Sequence, residues 1–269
     1  TASSNHSRWV ICVNGWLLIR SPESYNSMCG RFTLRSSLNL LAEHFLFSAS
    51  PDISLPPKYN IAPTHSVATL TAPHGQRQLH WMHWGLIPNW SQGPSGASPM
   101  INARSETLPE KPSFRQAFQK RRCLILADGY YEWRSSGTDK QPFFIHRSDH
   151  QPFALAGLWE NWTPPQASTE TGQDTPQPWH STTIITTEAN EFAASVHHRM
   201  PVILNPSDYD RWLANDDSQL DMLQSLLVDP SNSNEMTTFK MTAVSRRVNK
   251  VANDDPQCIE PVAIQQGLF

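Results

Sequence analysis

The side chains best suited to chemistry sit in short blocks: Met28-Cys29-Gly30-Arg31-Phe32, Tyr59-Asn60-Ile61-Ala62-Pro63, Ile101-Asn102-Ala103-Arg104-Ser105-Glu106, Ala127-Asp128-Gly129-Tyr130-Tyr131-Glu132-Trp133 and Val196-His197-His198-Arg199-Met200-Pro201. They offer a thiol, amides, a carboxylate, an imidazole and several guanidinium groups. A thiol and an imidazole remote in sequence can meet in a fold, so a Cys–His nucleophile pair is one reading. The other is a set of unrelated core and surface residues. His80 and His83 invite a metal reading, but on an alternating strand two such histidines are better explained as partly exposed or hydrogen-bonded groups. Neither a metal nor a cofactor is expected.

The elements that must position these blocks are short strands with a few helices between them. Ser36-Ser37 caps an amphipathic helix carrying Leu38, Leu41, Ala42 and Phe45, and the polar, Pro-rich stretch 48–58 ends it. Extended segments follow at 59–70 and 78–85, separated by the turn Ala72-Pro73-His74-Gly75. Ser113 caps a helix to Lys120, and 122–127 reads as a buried strand. Segments 131–134, 142–147 and 152–159 form a meander, which the Pro-, Thr- and Gln-rich stretch 163–178 interrupts as a surface insertion. A strand at 181–187, a helix at 188–195, a strand at 201–204, helices at 207–214 and 217–227 and a strand at 238–244 complete the chain. With no βαβ repeat and no internal repeat, the class is α+β.

At 269 residues the chain can bury a sizeable core. Charged residues make up 17%, below the roughly 25% of an ordinary globular chain, and ten Trp are present, which excludes general disorder. A formal charge of −3 excludes a protein that coats DNA by bulk electrostatics, so any nucleic-acid contact must come from a local patch. Cys12, Cys29, Cys123 and Cys258 lie far apart with no Cys-x-x-Cys. They argue against a zinc site or a disulfide framework and point to a reducing compartment. No apolar run is long enough to span a membrane. Residues 1–28 look foreign: Trp9-Val10-Ile11-Cys12-Val13 and Trp16-Leu17-Leu18-Ile19 are broken by Asn14-Gly15, and no small-x-small cleavage site follows. They are expected to be a leader or a mis-assigned start that is absent from the mature protein, leaving one domain over 29–269.

Taken in order, Met-Cys-Gly-Arg-Phe, Asn-x-Ala-Pro, Trp-Gly-Leu-Ile-Pro, Ile-Asn-Ala-Arg-x-Glu, Asp-Gly-x-x-Glu-Trp, His-x-Arg-Met-Pro and Val-Ser-x-x-Val-Asn run from Met28 to the chain's last segments. This succession resembles the SRAP family, the SOS-response-associated peptidases that act as abasic-site processing proteins. The resemblance implies a compact α+β domain with a curved, barrel-like, mainly antiparallel sheet and flanking helices. It also implies covalent capture of abasic sites in single-stranded DNA, with a possible lyase side reaction, and, for a bacterial chain, a cytoplasmic place at the nucleoid. No membrane and no obligate protein partner is implied.

By that resemblance Cys29 is the nucleophile, and its chemistry follows from its groups. A lysine amine, with a pKa near about 10.4, is protonated at neutrality, whereas an α-amine titrates around 7.7–8.0 and can attack a sugar aldehyde. If that amine belongs to a cysteine, the thiol closes on the imine carbon to form a five-membered thiazolidine. Glu132 matches the catalytic carboxylate and shuttles protons. His197 rather than His198 matches the histidine, and Asn102 orients the sugar or the amine. Arg31 and Arg104 grip phosphates, with Asn60, Pro63 and Trp84 lining the neighbouring surface. Lys120-Arg121-Arg122 and Arg246-Arg247 are candidates to widen the patch.

The chain departs from this pattern in one respect: an internal cysteine has an amide nitrogen that cannot form an imine. Initiation at Met28 followed by its removal, or self-cleavage before Cys29, restores the amine. Two readings of other classes stay open. One is a cysteine hydrolase with Cys29, His197 and Asn102 as nucleophile, base and orienter. The other is a noncatalytic single-stranded DNA-binding module.

Overall fold

The computed structural model describes residues 30–50, 52–93, 99–137, 139–163, 178–214, 220–228 and 238–263. Its strands are β1 (Phe32–Leu34), β2 (Lys58–Ile61), β3 (Ser66–Thr71), β4 (Gln78–Trp84), β5 (Asn102–Arg104), β6 (Arg122–Ala127), β7 (Gly129–Ser136), β8 (Asp139–Arg147), β9 (Phe153–Trp162), β10 (Trp179–Glu188), β11 (Arg199–Pro201), β12 (Ile203–Leu204) and β13 (Phe239–Ala243). The helices are α1 (Leu38–His44), α2 (Pro112–Lys120), α3 (Glu191–Ala194), α4 (Tyr209–Leu213) and α5 (Leu220–Val228). No described helix is long and apolar enough to cross a membrane.

Two sheets form the α+β domain. One is open, in the order β13-β8-β7-β1-β2. In the other, β10, β4, β3, β6 and β9 follow one another, and β9 pairs back onto β10, closing a five-stranded barrel. The N-terminal half of β10 closes this barrel, while its C-terminal half runs beside β5 and β11. Strands β6 and β9 are apolar along almost their whole length because both faces are covered. The main core fills the barrel and the space between the sheets, where Phe32 meets Trp84 edge-on at 5.2 Å between ring centres.

Local chemistry sets most boundaries. Ser37 caps α1 by accepting the Leu40 amide. For α2 the expected cap at Ser113 is corrected. The cap position is Lys111, and Pro112 opens the helix because its missing N–H leaves no helical bond unmade. The helix expected at 188–195 shrinks to α3, since β10 continues to Glu188 and Asn190 supplies the cap. The expected meander holds only for β7 and β8, which pair along their length. β9 instead crosses to the second sheet and lies between β6 and β10. The insertion connects two paired strands, Trp162 standing opposite Trp179, and its residues 164–177 lie outside those described, as does the leader.

Candidate active site

The site is built outward from Asp128-Gly129, the turn between β6 and β7. The buried Asp128 carboxylate accepts from Thr33 Oγ1 (2.6 Å), the Arg35 amide (2.5 Å) and Nε (3.0 Å), and the Ser36 amide (2.9 Å). These bonds fix the end of β1 against β7. Gly129 is required there, because a Cβ would stand 2.2 Å from the Phe144 ring. With β1 so placed, Phe32 faces Tyr130 and the Tyr131 amide donates to the Arg31 carbonyl at 3.0 Å. Continuing that register sets Gly30 opposite Glu132. Cys29 lies outside the described residues.

Side chains alternate along β7. Tyr131 and Trp133 turn towards the small cluster under the C-terminal segment, where Tyr131 Oη donates to the Tyr59 carbonyl and Trp133 Nε1 to Asn249 Oδ1. Glu132 turns the other way and is only 3% exposed. Phe143 of β8 stands opposite it and joins Val196 and Ala243 in one apolar cluster. Arg134, two residues on and on the Glu132 face, donates from Nε to the Ser195 carbonyl (2.9 Å) and lies over the Phe143 ring. The segment from α3 to His197 is thereby held on the Glu132 face.

His197 is half-buried, and desolvation lowers its pKa below the ordinary value, with the neighbouring His198 and Arg199 charges acting in the same direction. Its Nδ1 meets the Arg199 backbone twice, 3.1 Å from the amide nitrogen and 3.2 Å from the carbonyl oxygen, which fixes the direction of the ring. His198 is exposed and lies against it, the rings tilted by 34° with their centres 4.4 Å apart. Asn102 and Arg104 share one face of β5, while Ala103 between them is buried in the core. β5 runs parallel to β10, placing Asn102 beside Ile184 and Arg104 beside Thr186. Across β10, Thr186 opposes Pro201 and Glu188 opposes Arg199, so the His197 and Asn102 blocks flank the same end of one strand.

Other expected site residues sit deeper than a DNA-facing surface. Asn60 is 1% exposed, and its amide donates to the carbonyls of Val248 (3.1 Å), Lys250 (3.0 Å) and Asn253 (2.7 Å). Its Oδ1 accepts from Arg31 Nη1, which also reaches the Val248 carbonyl at 2.7 Å. Asn60 thus locks the Val244-to-Asn249 motif onto β2, and Arg31 braces the same junction. Trp84 is fully buried, with Nε1 donating to the Ile101 carbonyl, so the expectation that it lines the surface is corrected: it supports β5 from within. Pro63 lies half-buried in the turn between β2 and β3. The stacking faces that the fold does expose are Trp90 (66%), Trp81 and Trp179.

The basic clusters are also spent on structure. Arg122 is buried and donates to the carbonyls of Phe118, Gln119, Trp212 and Ala214, and Arg121 pairs with Glu160. Arg246 pairs with Asp139 and Arg247 with Asp255. His80 turns towards His180 at the opposite end of β10, at the edge of a cavity of about 180 Å³, whereas His83 lies against Trp179 on the other face. Among the described residues no group of three His, Cys, Asp or Glu could hold a metal. The residues that sequence reasoning passed over are Asp128, Glu106 and Arg199. The signal for the last two was their presence, with opposite charge, inside the motifs that carry Asn102 and His197.

The family model described as SOS response associated peptidase (SRAP) matches residues 28–251. The chain is 39% identical over 235 residues to the abasic site processing protein YoqW of Bacillus subtilis, covering 87% of this chain and 99% of that one. To abasic site processing protein YedK of Escherichia coli it is 31% identical, covering 87% and 100%. To abasic site processing protein HMCES of Gallus gallus it is 30% identical, covering 77% and 67%. A solved structure of a Bacteroides thetaiotaomicron protein superposes with a TM-score of 0.70 at 24% identity, covering 87% of this chain and all of that one.

Proposed function

The chain belongs to the SRAP family, and from that premise we propose that it processes abasic sites in single-stranded DNA by capturing the sugar aldehyde at Cys29. The similarity to proteins named for abasic site processing supports the substrate class. The observation that carries the reading is the register of β1 on β7, which sets Gly30, the residue bonded to Cys29, opposite the buried Glu132.

The reaction begins with the ring-opened deoxyribose, whose C1′ aldehyde is attacked by the α-amine of Cys29. The resulting carbinolamine loses water to an imine. The thiol then adds to the imine carbon and its proton passes to nitrogen, closing the thiazolidine; the net loss is one water. Glu132 carries protons during sugar opening and dehydration, for which a buried carboxyl is suited. His197, held at Nδ1 by the Arg199 backbone, hydrogen-bonds the sugar hydroxyl through Nε2. Asn102 orients the sugar or the amine, and Arg104, exposed on the same face of β5, takes a phosphate. Exposed tryptophans such as Trp90 supply stacking worth roughly 1–3 kcal/mol per base without sequence preference. Elimination from the imine is the lyase side reaction. Met28, where the family match begins, is the natural initiator, and its removal frees the amine. Self-cleavage before Cys29 is the alternative route.

The deciding experiment mixes protein beginning at Cys29 with intact and abasic oligonucleotides and reads denaturing gels and intact mass. An adduct with abasic DNA alone, lost in Cys29→Ser, is expected. Equal binding of both DNAs with no adduct would favour a simple binding module, and peptide turnover lost in Cys29→Ser would favour a hydrolase.

A further inference from the structure

The motif carrying Asn102 and Arg104 and the motif carrying His197 are tied by one ion pair. Arg199 is 7% exposed, and its guanidinium forks onto Glu106, with Nη1 to Oε1 at 2.6 Å and Nη2 to Oε2 at 3.0 Å. Nη2 also donates to the Thr186 carbonyl at 2.7 Å, so the side chain lies across β10, between β11 and the end of β5. Such a fork fixes orientation as well as distance. Glu106 is itself held: the turn it occupies packs on α5, where Gln224 donates to the Ser105 carbonyl at 2.6 Å. Arg199 has a second task through its backbone, whose N–H is the donor to His197 Nδ1.

We infer that Glu106 is a positioning residue: by fixing Arg199 it sets the direction of the His197 ring and holds it in step with Asn102 and Arg104. This rests on the proposed reading of the site, although its first readout does not. A residue that merely stabilised the fold would have no reason to connect these particular blocks. Here the Glu106 carboxylate is hydrogen-bonded to the Arg199 side chain and the Arg199 backbone to the imidazole, each at good length, and the two bonds are joined through the covalent frame of one residue.

The test uses protein beginning at Cys29 and the variants Glu106→Gln, Glu106→Asp and Arg199→Lys. The first readout is the His197 ring by nitrogen–proton correlation NMR. The second separates the rate of adduct formation at saturating abasic DNA from the affinity for that DNA. For Glu106→Gln we expect the His197 ring signals to shift or change tautomer and the saturated rate to fall roughly ten- to a hundredfold, since small misplacements at a reacting centre cost that much. Affinity should change little, and Glu106→Asp should restore part of the rate. A lowered melting temperature with unchanged ring signals and unchanged saturated rate would overturn the inference. Should Glu106→Gln not fold, Arg199→Lys, which keeps the charge but cannot fork, is read in the same way. If unaltered protein forms no adduct at all, the proposed function falls, while the NMR comparison still decides whether Glu106 governs His197.

Discussion

The amide of Tyr131 donates to the carbonyl of Arg31 at 3.0 Å, one step beyond the paired residues Phe32 and Tyr130. Because antiparallel partners advance in opposite directions, this bond commits the next residue, Gly30, to the position facing Glu132. A slip of one position would turn Glu132 to the opposite face.

The first consequence concerns the residues ahead of Cys29. Protein that retains residues 1–28 has an amide where the reaction needs an amine, so it should form no gel-stable adduct with an abasic oligonucleotide, while protein starting at Cys29 should. Intact-mass measurement of both preparations, before and after DNA, checks this. Equal adduct yield from the extended form would remove the thiazolidine from consideration.

Glu132→Gln preserves shape and removes the proton carrier. Adduct formation should slow by about 10²–10⁴-fold, the usual contribution of a general acid or base, with binding of intact single strands unchanged. Single-turnover gels over a time course report the rate. A rate within twofold of the unaltered protein would leave Glu132 a buried structural carboxylate.

Arg104 separates from the other basic residues because it is exposed on the face it shares with Asn102, whereas Arg122 is buried among carbonyls and Arg246 and Arg247 face carboxylates. Arg104→Ala should weaken single-stranded DNA binding uniformly across sequences. It should also reduce the slope of log affinity against log salt by about 0.7, one phosphate's share. Fluorescence titrations at several salt concentrations give the slope, and an unchanged slope would place the phosphate contact elsewhere.

How legible this was differs by element. Strand β6 was readable to the residue, since an unbroken apolar run bounded by Arg122 and Asp128 has one simple interpretation. Helix α1 was equally plain from Ser37 and its apolar spacing. Strand β5 escaped notice because it is three residues long and pairs in parallel with β10, eighty positions away, leaving neither alternation nor a hairpin turn to see. The reactive groups were visible as motifs, but motif membership does not separate a residue that touches DNA from one that holds the scaffold. Asn60 and Trp84 are of the second kind: their polar atoms answer backbone carbonyls of segments far along the chain, which only the fold reveals.

Asn60 can be tested for that role directly. Asn60→Leu takes one donor each from the carbonyls of Val248, Lys250 and Asn253, which keep Arg31 Nη1, the Asn253 amide and Cys258 Sγ, and takes one acceptor from Arg31 Nη1. A typical hydrogen bond contributes about 0.5–1.5 kcal/mol net, so with four of them lost a fall of a few kcal/mol is expected in urea unfolding. Protein that still folds should retain most of its affinity for DNA, because the amide itself is out of reach of a ligand. Lost affinity with undiminished stability would return Asn60 to the binding surface.

Acid should weaken the fold through its half-buried histidines. Burial is the largest cause lowering the pKa of His44, His65, His80, His83, His146 and His197 below the ordinary imidazole value of 6.5. In that window the unfolded chain binds more protons than the folded one, so stability rises with pH. The contribution is complete above about 6.5, the unfolded value, and is lost as pH falls through the lower folded values. The carboxylates act further down. Asp149, hydrogen-bonded by Arg147, is lowered to about 2 from 3.8, and Asp254, bonded to Lys58 and to the amides of Tyr59 and Asn60, is lowered as well, so both support the fold until well below pH 5. Urea midpoints should therefore be level from pH 8 to 7 and decline between pH 6.5 and 5. The decline should soften in His80→Gln and His197→Gln, which cannot take up the proton. A midpoint that holds steady or rises between pH 7 and 5 would mean that the imidazoles are as well solvated in the fold as in the unfolded chain.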